Sequence, residues 1–169
     1  MTNIHIYVAC LESYNHGILY GKWIDAQQSE DEIMEEIMKL LAESPMPNAE
    51  EWAIHDHDGF GSYQVGEYGS IKTISDIANN IAKYGNLFTE VLTIYGDIDA
   101  TATVLEEHYH GEYDSELEFA TQLFDEIYSH EISDHIQHYI DYDAFARDLF
   151  INDYFSVYID HHVHVFSNY

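Results

Sequence analysis

The chain has 169 residues and sets 32 Asp and Glu against 5 Lys and Arg, a formal net charge of -27 with its 12 histidines neutral, yet 46% of it is apolar. That apolar content can bury a core and excludes a disordered acidic tail, while the charge excludes nucleic acid and anionic membranes as partners, because every approach would be repulsive. A basic surface is the natural partner, and the length suits one domain or a short string of small modules. Cys10 stands alone, so no intramolecular disulfide forms. No run approaches the ~18 consecutive apolar residues of a membrane span, and Met1 to Leu11 lacks the basic start of a signal peptide, so the expected compartment is the cytoplasm.

Ile4, Ile6 and Val8 alternate with His5, Tyr7 and Ala9, the period-two pattern of a strand with one buried face. A loop is expected over residues 12–17 and a second strand over 18–24, making a hairpin-like pair. Ser29 with Glu32 three residues on is a capping box, and Ile33, Ile37, Leu40 and Leu41 then fall on one helical stripe that Pro45 and Pro47 end. Residues 51–55 read as a third strand, closing a β-β-α-β module with Asp58-Gly59-Phe60-Gly61 as a loop.

From Ser70 the spacing turns helical through Ile71, Ile74, Ile77, Ala78 and Ile81 to Gly85, a candidate C-cap. Leu87, Phe88, Val91 and Leu92 begin another helix, and a short one is expected between Asp99 and Glu107. Residues 108–113 alternate like a strand, and Ser115 with Glu118 offers a second capping box before Ala120, Leu123, Phe124 and Ile127. Helices are expected over 116–128, 132–139 and 142–150, then a hairpin through Phe155, Val157 and Ile159 and back through Val163 and Val165. The fold class is therefore α+β, in three modules: an α+β domain over 1–62, a helical domain over 63–104 and an α+β domain over 105–169.

Residues 1–62 carry 12 acids against 2 lysines, residues 63–104 carry 5 against 2, and residues 105–169 carry 15 against one arginine. The middle is nearly neutral and reads as a spacer between two anionic ends. Each charge run alone reads as a solvated helix face. Because nearly every segment behaves alike, and like charge costs stability through self-repulsion, the field itself is read as functional. The candidate partner-binding surface is Glu30, Asp31, Glu35, Glu36 and Glu43 in the first module, with Glu106, Glu107, Glu112, Asp114, Glu116, Glu118, Asp125, Glu126, Glu131 and Asp134 around the third. B-form DNA carries one negative charge per ~1.7 Å of axis, so an excess of 27 charges corresponds to roughly 46 Å of duplex, and a dimer to roughly 92 Å. The charge is thus enough to imitate a few turns of DNA.

Other chemistry finds less support. His55-Asp56-His57-Asp58, His108-Tyr109-His110 and His161-His162-Val163-His164 hold the residue types that bind transition metals. Each needs further ligands from remote sequence, and Gly59 stands where a binuclear hydrolase would place its next histidine. Asp56 and Asp58 before Gly59 lack the later ligands of a calcium loop. No nucleophile elbow, P-loop or dinucleotide fingerprint occurs, and Cys10 has no partner base in sequence. No catalytic residue, metal or cofactor is expected. Arg147, with Asp143 at helical spacing and Asp148 beside it, reads as one arm of a local ion pair or as a clamp in the last module.

Three segments in order resemble the ArdA antirestriction family: Ile6-Tyr7-Val8-Ala9 with Tyr14-Asn15-His16-Gly17 and Gly21-Lys22-Trp23; Glu51-Trp52-Ala53-Ile54-His55-Asp56; and the run from Tyr139 to Leu149 that contains Asp141, Asp143, Arg147 and Asp148. The resemblance implies an elongated protein of three small domains that forms a homodimer through its C-terminal part and presents carboxylates in a bent, DNA-like array. It further implies binding to type I restriction-modification enzymes, in the groove where methyltransferase and specificity subunits hold DNA, and an origin on a mobile genetic element in a bacterial host. Residues 84–103 and the histidines His161, His162 and His164 depart from the family's pattern. The competing readings are an acidic inhibitor or chaperone of another basic DNA-binding protein, a metal hydrolase built on the His/Asp clusters, and a halophile's acidic surface.

Overall fold

The computed structural model describes residues 3–168. Its contacts divide the chain into two compact units, Met1–Ile98 and Asp99–Tyr169. The expected middle segment, residues 63–104, therefore falls mostly within the first unit.

In the first unit, β1 (His5–Cys10) lies between β2 (Gly21–Asp25) and β3 (Trp52–Asp58), antiparallel to both. Ile6 pairs with Ile24 and Val8 with Ile54 on the inner face. Against that face lies α2 (Glu30–Ala42), whose Ile33, Ile37, Leu40 and Leu41 are all buried. Burying each such side chain contributes about 1.5–3 kcal/mol. The capping box forms as its spacing predicts: the Ser29 hydroxyl accepts from the Glu32 amide, and the Glu32 carboxylate accepts from the Ser29 amide at 2.9 Å. The Ser29 hydroxyl also donates to the Glu32 carboxylate at 2.6 Å, and this bond with that from the Ser29 amide holds the carboxyl below its ordinary range.

The helix α3 (Ile71–Tyr84) runs from a Ser70 cap to Gly85, and α4 (Leu87–Tyr95) follows. A Ser75 hydroxyl donating to the Gln28 carbonyl at 2.6 Å joins α3 to the turn before α2, and α3 also contacts α2 and α4. Gly85 has φ +68° and ψ -163°, a region only glycine occupies without strain. In the loop after β3, Gly59 sits at φ +82° against the Asn3 carbonyl, and the adjacent Phe60 is buried.

The second unit contains α5 (Ile98–Glu107), β4 (Tyr109–Tyr113), α6 (Glu116–Tyr128), α7 (Asp134–Gln137), α8 (Tyr142–Asn152), β5 (Tyr154–Ile159) and β6 (His162–Ser167). Its antiparallel sheet has the order β4-β6-β5. Helix α6 packs on α8 and on the sheet, around Phe119 and Phe124. Phe119 contacts the rings of His110, Tyr113, Phe150 and Tyr154, and Phe124 those of Tyr128, Tyr142 and Phe145. Edge-on ring contacts of this kind add to the area they bury. Asp160 and His161, at φ +50° and +72°, make the two-residue hairpin turn, whose positive φ values match the right-handed twist of the strands it joins.

Several boundaries differ from the sequence reading for identifiable reasons. Residues 12–17 are not all loop, because α1 (Leu11–Asn15) forms there, with the Ser13 side chain buried and 3.0 Å from the Ser44 hydroxyl. The second strand begins at Gly21 instead of residue 18: Ile18 and Leu19 are exposed, and the Tyr7 ring lies so close over Gly21 that only glycine fits. The third strand continues to Asp58, its register shifting beside Tyr7 so that His55 is an extra residue. Helix α7 is one turn instead of residues 132–139, and it buries none of its residues. The second capping box is half made, since Ser115 accepts from the Glu118 amide while the Glu118 carboxylate takes the Asp114 amide at 2.7 Å.

Candidate functional site

Each amphipathic element turns its apolar stripe inward, and the acids are left on the other side. None of the 32 Asp and Glu is buried. In the first unit Glu30, Asp31, Glu35 and Glu43 are exposed along α2. Glu36 is half-buried, forms an ion pair with Lys22 and accepts from the Gln28 side-chain amide at 2.8 Å. The Lys22 and Gln28 hydrogen bonds hold its carboxyl below the ordinary range. Glu36 is thus tied to its own sheet, and the remaining α2 carboxylates make the outward surface.

In the second unit Glu106, Glu107, Glu112, Asp114, Glu116, Asp125, Glu126, Glu131 and Asp134 are exposed, while Glu118 is half-buried in its cap. Some have internal partners. Ser156 donates to Glu116 at 2.6 Å, Tyr142 donates to Asp125 at 3.3 Å, and Glu112 faces His162 at 3.3 Å and His164 at 3.9 Å. The hydroxyl partners orient their carboxylates without cancelling the charge.

The few cations act locally. Lys72 pairs with Asp76 at 2.6 Å, Arg147 with Asp148 at 3.3 Å, and Lys83 lies 4.6 Å from the Tyr84 ring centre. The Arg147 contact is solvent-exposed on both sides, the local pair that its position in sequence suggests. Exposed pairs of this type contribute about 0–1 kcal/mol and leave the wider field unchanged.

The nominated acids are only part of the surface. Asp25, Asp56, Asp58, Glu67 and Asp97 in the first unit, and Asp99, Asp141, Asp143, Asp148, Asp153 and Asp160 in the second, are exposed as well. Those on strands and turns escaped the sequence reading because they form no run. Alternation with apolar neighbours, as in Asp25 after Ile24, was the available signal.

The histidines of each motif meet different neighbours in the fold. His55 lies edge-on to Tyr14, with ring centres 4.7 Å apart, and His57 is edge-on to Phe60. Both line an open pocket of about 530 Å³ with Asp56, Val65 and Glu67. His108 meets the Ser167 hydroxyl at 3.1 Å, whereas His110 is the extra residue of a bulge in β4 and packs on Phe119 and Tyr154. Among the described residues no three His, Cys, Asp or Glu are grouped to hold a metal ion. Cys10 is buried, with the Ser44 hydroxyl 3.5 Å from its sulfur.

A chain whose charge is carried wholly outside its cores, over two mixed units, is matched by the family model described as antirestriction protein (ArdA), across residues 6–164. The chain belongs to the ArdA family. ArdA proteins are antirestriction proteins, inhibitors and not enzymes. The match spans both units, so each of the three segments of resemblance lies within it. A search of curated proteins finds no match. Among the described residues of this ArdA chain, no helix is long and apolar enough to cross a membrane.

Proposed function

We propose that the protein inhibits restriction by presenting its carboxylates as a mimic of bent B-form DNA and occupying the DNA-binding groove of a type I restriction-modification enzyme. The groove is the one that methyltransferase and specificity subunits form around DNA, so modification is blocked together with restriction. The protein acts as a homodimer in the cytoplasm of a bacterial host and itself binds neither nucleic acid nor membrane. The segments 1–62, 63–104 and 105–169 are successive parts of the mimic, and the fifteen nominated acids, from Glu30 to Asp134, belong to its contact surface.

The observation that carries this reading is the placement of charge: 32 acids and no buried one, with Lys22, Lys72 and Arg147 held in local ion pairs. A groove that binds duplex DNA is lined with Lys and Arg, which displace the cations gathered around a polyanion when it docks. The same release makes binding of the protein weaken as salt rises. The test is titration of the protein into a type I methyltransferase bound to labelled DNA, at two salt concentrations. Displacement that falls with salt is expected. Absence of displacement from several such enzymes would replace this reading by the second one, an acidic inhibitor or chaperone of another basic DNA-binding protein.

A further inference from the structure

The outer face of the N-terminal sheet carries an aromatic pair that charge mimicry does not use. The strand registers put Tyr7 between Trp23 and Asp56, and His5 between Asp25 and Asp58. Residues directly opposite in a ladder share a face. Since Ile6, Val8 and Ile24 face the buried side, these six residues occupy the other. The Tyr7 and Trp23 ring centres are 5.4 Å apart with planes tilted by 59°. Trp23 is 45% exposed, and Asp25, Asp56 and Asp58 are exposed around the pair. Lys22, the cation of the same strand, turns the opposite way into its ion pair with Glu36.

We propose that this face is a docking site for arginine side chains of the protein partner. A guanidinium stacked on Trp23 has Asp25 two residues along the strand, and one against Tyr7 has Asp56 directly across the ladder. Electron-rich rings attract cations, and arginine adds planar stacking and a fork of N–H donors that fits a carboxylate. Lysine offers neither. This deepens the antirestriction reading and rests on it, because arginine is the residue by which DNA-binding grooves most often grip phosphates and guanine edges. The acids along α2 act through a long-range field that salt screens. The Trp23 face adds a short-range contact of the kind that dominates binding at interfaces, where tryptophan, tyrosine and arginine are enriched.

The first readout is the indole N–H signals of Trp23 and Trp52 in nitrogen-15 NMR of the full chain, assigned with Trp23→Phe, during titration with hexa-arginine and with hexa-lysine. The Trp23 signal is expected to move and to saturate at about five-fold lower hexa-arginine than hexa-lysine. Equal response to the two peptides, or movement of Trp52 alone, overturns the proposal. The second readout is displacement of DNA from the methyltransferase. Trp23→Ala, with its circular dichroism spectrum unchanged, is expected to require about ten-fold more protein at every salt concentration. Asp56→Asn is expected to weaken displacement and also to flatten its salt dependence. Wild-type potency in Trp23→Ala overturns the proposal. Should the wild-type protein displace no DNA while hexa-arginine still selects Trp23, the antirestriction reading fails and the arginine site stands.

Discussion

The Tyr109 hydroxyl lies 2.8 Å from Nδ1 of His164, across the β4–β6 ladder. A neutral phenol donating there leaves the ring hydrogen on Nε2, which faces Glu112 Oε2 at 3.9 Å. Burial keeps the Tyr109 phenol above its ordinary value, reinforced by Glu112, so it remains a donor across the physiological range. Burial also depresses the His164 pKa. Glu112 and Asp160 oppose that shift and His162 adds to it, but desolvation is the largest cause.

A histidine whose folded value is depressed binds its proton more tightly in the unfolded chain. Its contribution to stability is therefore full above the ordinary value of about 6.5 and is lost as pH falls from there through the folded value. Falling pH also eases repulsion among the carboxylates, in the opposite direction, so the informative quantity is a difference between two chains. The urea midpoint at about pH 5, relative to that at about pH 8, should be higher in His164→Gln than in the wild type. An identical pH dependence in the two would show that His164 is not held neutral.

Removing the hydroxyl of Ser29 should cost about 1 kcal/mol, because the Glu32 amide loses its acceptor and Glu32 loses half of its anchor. The corresponding change at Ser115 removes a cap whose reciprocal half is absent. Equilibrium unfolding in urea should show the larger loss for Ser29→Ala. Equal losses would mean that the reciprocal carboxylate bond adds nothing.

Two glycines with similar positive φ separate backbone strain from collision. Gly17, at +77°, has open space where a Cβ would stand, whereas at Gly59, at +82°, a Cβ would strike the Asn3 carbonyl and the Ile4 Cα. Gly17→Ala should cost about 1–2 kcal/mol from the left-handed backbone alone. Gly59→Ala should cost clearly more and shift the start of β1. Thermal unfolding of both variants checks the order, and a milder Gly59→Ala would mean that the Asn3 segment gives way.

Charge should act on stability and inhibition with opposite signs. Glu35→Gln or Asp125→Asn alone should change DNA displacement little, since each removes one charge from a net of -27. Neutralising ten of the exposed acids together should abolish displacement and raise the melting temperature by relieving self-repulsion. A single substitution that abolished inhibition would point to a discrete contact instead of a distributed field.

Local signals in the sequence determined the elements that depend on nearest neighbours. The stripe of Ile33, Ile37, Leu40 and Leu41, the Ser29 box, the Ser70 to Gly85 helix and the helix expected over 142–150 all rest on residues three or four apart in the chain, and helices form there, the last of them running on to Asn152. The surplus of acid over base is likewise a property of composition, and it required the carboxylates to face water because unpaired buried charge is prohibitive.

Tertiary structure decided what depends on residues far apart in the chain. The short helix after β1 is built around Ser13, whose partner Ser44 lies 31 residues on. Glu36 was withdrawn from the outward acidic surface by Lys22, a residue of another strand. Glu112, His162 and His164 became neighbours only when β4 paired with β6. Trp23 reached Tyr7 through the pairing of β2 with β1, and Asp56 came opposite Tyr7 because the β1–β3 register shifts past His55. Side chains along a strand have a period of two, so the alternation of Ile6 and Val8 already sends Tyr7 outward, while only the paired sheet decides which residues of β2 and β3 stand beside it.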